Sequence, residues 1–150
     1  MEVRVLKHPG RKWLLVTSEE NYLICLDCRR WGDENYCRIS QIKPGDILIF
    51  YIKVAQLGAV AEATKSVYHS SEVIWPDRLY PYRIDFSVLI DPGLPIDFRP
   101  LIPLVSFLPR KDKRWGAILQ TSCLEISDSD AQLLINAIKQ GGISVWNVSL

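Results

Sequence analysis

The most apolar run in the chain is Ile47-Leu48-Ile49-Phe50-Tyr51-Ile52, and Lys43-Pro44-Gly45-Asp46 stands directly before it. Proline presets its own φ and glycine admits a positive one, so Pro44-Gly45 suits the centre of a type II turn. The run is short, β-branched and aromatic, which predicts a strand. Apolar side chains at every position mean that both faces are covered. A central strand of this kind needs other strands beside it and helices over it.

The remaining pattern supplies them. Trp13-Leu14-Leu15-Val16, within residues 12–17, reads as a second buried strand. Ser18 is a good N-cap, with Glu19 and Glu20 in the first turn of a helix that ends near Arg29-Arg30. Its inner face is expected to carry Tyr22, Leu23, Cys25 and Leu26. Trp31-Gly32-Asp33-Glu34-Asn35 then reads as a loop. Ala55-Gln56-Leu57-Gly58 suggests a tight hairpin into a strand over 58–66, whose small residues let another layer approach or leave room. Residues 67–82 form a long aromatic connection containing Trp75, of a length that is often functional. Residues 83–90 alternate, with Ile84, Phe86, Val88 and Ile90 inward and Arg83, Asp85 and Ser87 outward. The Pro-rich 94–109 stretch should hold one helical turn near Arg99–Leu101. Ser127 caps a last helix with Ala131, Leu134, Ile135 and Ile138 on one face and Gly141-Gly142 at its end. Residues 143–150 read as a terminal strand or a tail. About five or six strands and two main helices make an α+β domain with a curved, mostly antiparallel sheet or small barrel.

Length and composition narrow the class. The 150 residues suggest a single domain over 1–150, with a basic, irregular leader at 1–11. No apolar run approaches the roughly 20 residues of a membrane span, and the N-terminus lacks the apolar core of a signal peptide, so a cytoplasmic location is expected with no membrane partner. A net charge of +1 argues against a protein that coats a duplex through many phosphate contacts, so a nucleic-acid partner would be held by a local patch or pocket. Cys25 and Cys28 have the spacing of a zinc knuckle or redox pair, yet they fall inside a helical pattern and only Cys37 stands near as a further ligand. With Cys123, they read as buried or spare thiols; no metal or cofactor is expected.

Catalytic signatures are absent: there is no Gly-rich phosphate loop, nucleophile elbow or His-Glu-x-x-His. What remains is aromatic. Trp31, Trp75, Tyr80, Tyr82 and Trp115 stand outside the predicted core strands and near basic residues, where each ring could stack on a base with about 1–3 kcal/mol or pack a core edge. Asn21, Ser18 and the backbone near Gly32 are candidates for a base edge. Arg110-Lys111-Asp112-Lys113-Arg114 is the densest basic run.

The ordered motifs resemble the EVE domain, a PUA-like relative of the YTH domain. The resemblance rests on residues 13–18 with Glu20-Asn21-Tyr22, Trp31-Gly32, residues 42–51, Tyr80-Pro81-Tyr82-Arg83-Ile84, residues 98–102 and Lys113-Arg114-Trp115, and covers about residues 12–139. It implies a PUA-like pseudo-barrel with an open pocket, in a group thought to read modified bases in DNA or RNA. Trp31 would stand at the position of the first cage tryptophan, Trp75 would supply a second wall, and Asn21 would contact the base edge. Tyr51 is the residue of the central strand expected to reach the pocket. Arg30, Arg110, Lys111, Lys113 and Arg114 would hold flanking phosphates. Two other readings are an enzyme acting on nucleic acid or a nucleoside, a hydrolase or nuclease using His69, Asp33 or Cys37, and an adaptor binding RNA or protein by shape. Whether Trp31 and Trp75 face one cavity decides the cage.

Overall fold

A computed structural model describes residues 10–141. The expected strand or tail at 143–150 and the leader up to residue 9 lie outside them. The run of apolar residues forms β3 (Ile47–Ile52), buried at every position. β1 (Lys12–Thr17) lies parallel to it, with Leu14 opposite Ile49. β4 (Gln56–Ala63) returns antiparallel on the other side. The order of the main sheet is completed by β2 (Arg30–Asp33), β6 (Tyr82–Ile90) and β8 (Cys123–Ile126), as β2-β6-β4-β3-β1-β8. Two short strands, β5 (Tyr68–His69) and β7 (Ile96–Asp97), add to β6 and β4. One parallel pair among antiparallel ones, with helices on the sheet's faces, is the expected α+β architecture. The sheet curls because β6 is shared: its first half pairs with β2 and its second half with β4.

Strand pleating splits the interior into two cores. Ile47, Ile49 and Tyr51 point to one side, where α3 (Asp128–Lys139) lays down Ala131, Leu134, Ile135 and Ile138. Leu48, Phe50 and Ile52 point to the other, under α1 (Glu19–Cys28) and Trp31. The turn before β3 is tied by a buried Asp46. Its carboxylate accepts the Trp13 indole N–H and the Lys43 amide at 3.0 Å each, and the Arg11 amide at 3.0 Å. Gly45 takes φ 94°, as the turn requires.

Several expectations need correction. Trp31 lies on a strand, because Arg30–Asp33 pairs with β6 with Trp31 opposite Ile84. The hairpin turn falls at residues 53–55, with Ala55 at φ 62°, so β4 begins and ends earlier than expected. The small residues of β4 do admit another layer: a Cβ on Gly58 would stand 2.5 Å from the Tyr22 hydroxyl, which accepts the Ala59 N–H at 2.9 Å. Leu23 is 61% exposed, and the buried face of α1 is Asn21, Tyr22 and Cys25. Arg83 is buried at 1% exposure, because the connection before β6 folds over it. The turn at Arg99–Leu101 is a 3-10 helix, and a second one runs over Trp115–Gln120. α2 is a single turn, Tyr36–Ile39. Among the described residues, no helix is long and apolar enough to cross a membrane.

Candidate functional site

Trp31 and Trp75 line one cavity of about 390 Å³. β2 supplies Trp31, Gly32 and Asp33. The end of β1 and the start of α1 supply Thr17, Ser18, Asn21 and Cys25, and the 70–80 segment supplies Trp75, Asp77 and Tyr80. Lys53, from the β3–β4 turn, and residues 120–122, leading into β8, close the far side. Strands that are distant in sequence end together here, which is why the cavity forms at this edge of the sheet.

The two indoles are deep. Trp31 is 3% exposed and Trp75 2%, so little of either ring is open to solvent. The Arg83 guanidinium lies over the Trp75 ring, 5.2 Å from its centroid, a cation–π contact. Arg83 also donates to the carbonyls of Tyr80 (2.8 Å) and Glu72 and to Ser70 Oγ (3.0 Å). One buried guanidinium thus ties three points of the connection. Gly32 permits the closure: a Cβ there would meet Tyr80 Cβ at 2.8 Å and the Trp75 ring at 3.0 Å.

A small polar network sits on the wall. Asn21 Nδ2 donates to Asp77 Oδ1 at 3.0 Å, and the Tyr80 hydroxyl donates to Asp77 Oδ2 at 2.7 Å. Burial works to raise the Asp77 pKa, but the hydrogen bonds from Tyr80 and Asn21 outweigh it and hold the carboxyl below its ordinary value. The Tyr80 phenol is pushed up to about 12 by burial and by donation to Asp77. One Nδ2 hydrogen of Asn21 is thereby committed, and its Oδ1 accepts no hydrogen bond among the described residues. Ser18 caps α1, its Oγ accepting the Asn21 amide at 3.2 Å. Cys25, on the floor, is a thiol whose burial lifts its pKa to about 12.

Six of the expected base-contact residues (Trp31, Trp75, Asn21, Ser18, Gly32 and Tyr80) therefore line the cavity. Tyr51 and Tyr82 do not. Tyr51 points to the opposite core, its hydroxyl accepting the Ala55 N–H at 3.1 Å and its ring edge-on to Phe98. Tyr82 packs against Tyr36 and His69 instead. None of the five expected phosphate contacts lines it either. Arg110 is paired with Asp112 at 2.7 Å, Lys111 donates to the carbonyls of Ile102 and Val105, and Arg30 lies between Glu72 and Asp85. Lys113 and Arg114 are exposed and make no ion pair among the described residues. Lys53, Asp77 and residues 120–122 were missed. No local motif marks them, because tertiary packing brings them to this edge: the sheet places Lys53 and residues 120–122, and the fold of the 70–80 connection places Asp77.

The residues considered for catalysis do not assemble. His69 and Cys37 are exposed away from the cavity. Asp33 lines it, but its oxygens accept the Ser122 hydroxyl at 2.6 Å and the Asn35 amide at 3.2 Å. All four cysteines are free thiols, and no cluster of potential metal ligands occurs among the described residues.

This fold has solved counterparts. The YTH domain of the Zygosaccharomyces rouxii MRB1 protein, solved in complex with N6-methyladenosine RNA, superposes with a TM-score of 0.66 at 16% identity, covering 92% of each chain. The Agrobacterium tumefaciens protein Atu2648 superposes at 0.57 with 14% identity, over 91% of this chain and 96% of its own. The fold is therefore the one these structures share, a curled α+β sheet like that of the YTH domain. In sequence, the chain is similar to a UPF0310 protein of Pyrococcus abyssi, 29% identical over an alignment of 139 positions that covers 81% of this chain and 95% of that protein. No family model matches the sequence.

Proposed function

We propose that the chain is a nucleic-acid-binding module, without catalysis of its own, that takes a modified nucleobase of a flipped or single-stranded nucleotide into the cavity lined by Trp31 and Trp75. The observation that carries this reading is the convergence of two tryptophans, 44 positions apart in the sequence, on one cavity that also presents a committed amide at Asn21. Indole walls favour a flat, methylated ring by stacking and by burial of the methyl group. Asn21 Oδ1 then selects a base edge that offers an N–H. The fold shared with a YTH domain bound to methylated RNA supports the same reading. Because both rings are nearly closed off, a base enters as residues 70–80 swing outward, and closure behind it excludes water.

The test is a fluorescence titration with N6-methyladenosine and 5-methylcytidine against adenosine and cytidine. One methylated nucleoside is expected to quench tryptophan emission and to bind more tightly than its unmethylated parent. Trp31→Ala should weaken it about ten-fold or more, the loss of one stacking wall. Undiminished affinity in Trp31→Ala would remove the cavity from the mechanism. Turnover of the nucleoside would favour the enzyme reading instead.

A further inference from the structure

Trp115 is the tryptophan candidate that the main cavity leaves unused. It lies at the start of the 3-10 helix Trp115–Gln120, with its ring partly buried against Phe98 at 5.7 Å between centroids. Beside it is a second, more open cleft of about 270 Å³, lined by Trp115, Gly116, Lys113, Val54, Lys53 and Gln120 among others. Lys53 and Gln120 line both this cleft and the main cavity, so the two are neighbours across one short ridge. No carboxylate lines the second cleft, while two lysines do, and neither lysine makes an ion pair among the described residues. A Cβ on Gly116 would meet nothing within 4 Å. A side chain added at Gly116, which lines the cleft, would therefore enter open space and not packed interior.

We infer that this cleft is a second nucleotide subsite, in which the base next to the one held at Trp31 and Trp75 stacks on Trp115 while the linking phosphate passes Lys53 and Lys113. The inference rests on the reading of the main cavity as a base pocket, and it adds the unit that is recognised: a dinucleotide step of a single strand. Its elements are those of single-strand recognition, an aromatic platform with cations along the backbone path. Placing Lys53 on the ridge puts a positive charge where a phosphate must cross, and Lys113 holds the strand on the far side. A nucleoside alone fills only the first subsite.

The experiment compares, by calorimetry, the methylated nucleoside with a single-stranded RNA of about five nucleotides carrying the same base at its centre, the length that covers both subsites. The oligonucleotide should bind about ten-fold more tightly or better, with one base stack and one or two phosphates added. Gly116→Leu fills vacant space without touching the core and should bring the oligonucleotide back to the affinity of the nucleoside, whose own binding it leaves unchanged. Lys113→Ala should lower the slope of log affinity against log salt by about 0.7 for the oligonucleotide only. If Gly116→Leu and Lys113→Ala leave oligonucleotide binding intact while Trp31→Ala removes it, the second subsite is overturned and the base pocket stands. If Trp31→Ala leaves oligonucleotide binding intact, the base pocket is overturned, and the two-subsite arrangement with it.

Discussion

Asp77 shows how much of the site hangs on one exposed carboxylate. It receives Asn21 and Tyr80 together, and so joins α1 to the 70–80 wall of the cavity. Its folded pKa is depressed, so the link is fully present above the unfolded carboxylate value of about 3.9 and is lost as the pH falls through the lower folded value. Acidification from about pH 6 to about pH 3 should therefore loosen residues 70–80 before the sheet yields. Faster amide hydrogen exchange in that segment, with β3 and β4 still protected, is the expected signature. Asp77→Asn should show the faster exchange already at neutral pH and lose most of the acid dependence. A segment whose exchange is equally fast in both proteins at every pH would mean that the carboxylate holds nothing.

At the scale of elements, the strands with continuous apolar runs or clean alternation were legible, since burial on one or both faces leaves a direct trace in the sequence. β2 was not. Four residues that include Gly32 carry too little pattern, and they become a strand only because β6 offers an edge. Arg83 illustrates the same limit. Alternation along β6 assigned it outward, which is correct for the sheet but blind to the connection that folds over that face. Its guanidinium is what gives the irregular 70–80 segment a defined position. Arg83→Met keeps the stem's volume but removes its hydrogen bonds, and hydrogen bonds from a charged group contribute about 1.5–3 kcal/mol each where they are buried. The variant should lose about 2 kcal/mol or more in denaturant unfolding. It should also bind nucleoside more weakly, because Trp75 is no longer held. Full stability with full affinity would show that the segment is positioned by its other contacts.

For the whole molecule, Trp31 and Trp75, with Asn21, Ser18, Gly32 and Tyr80, were legible as candidates, whereas the cavity that unites them depends on how distant segments meet, and Lys53, Asp77 and residues 120–122 were not foreseen. Charge adds a quantitative constraint. Eighteen Lys and Arg face seventeen Asp and Glu, and several of the arginines are already answered: Arg78, which lines the cavity, by Glu34 at 3.2 Å, and away from it Arg110 by Asp112 and Arg30 by Glu72 and Asp85. Lys53 and Lys113 are the lysines that line the two clefts, and on the two-subsite proposal they meet the strand's phosphates. A single strand releases roughly 0.7 counterion per phosphate engaged, so two contacts give a slope of about −1.4 in log affinity against log salt. A broad basic surface engaging about six phosphates would give a slope near −4. Affinity for the methylated oligonucleotide should thus fall only about seven-fold between about 50 and 200 mM salt. Binding of this shallow kind is dominated by the base and its stacking partners. A slope steeper than about −3 would place the main contact on a surface other than the two clefts.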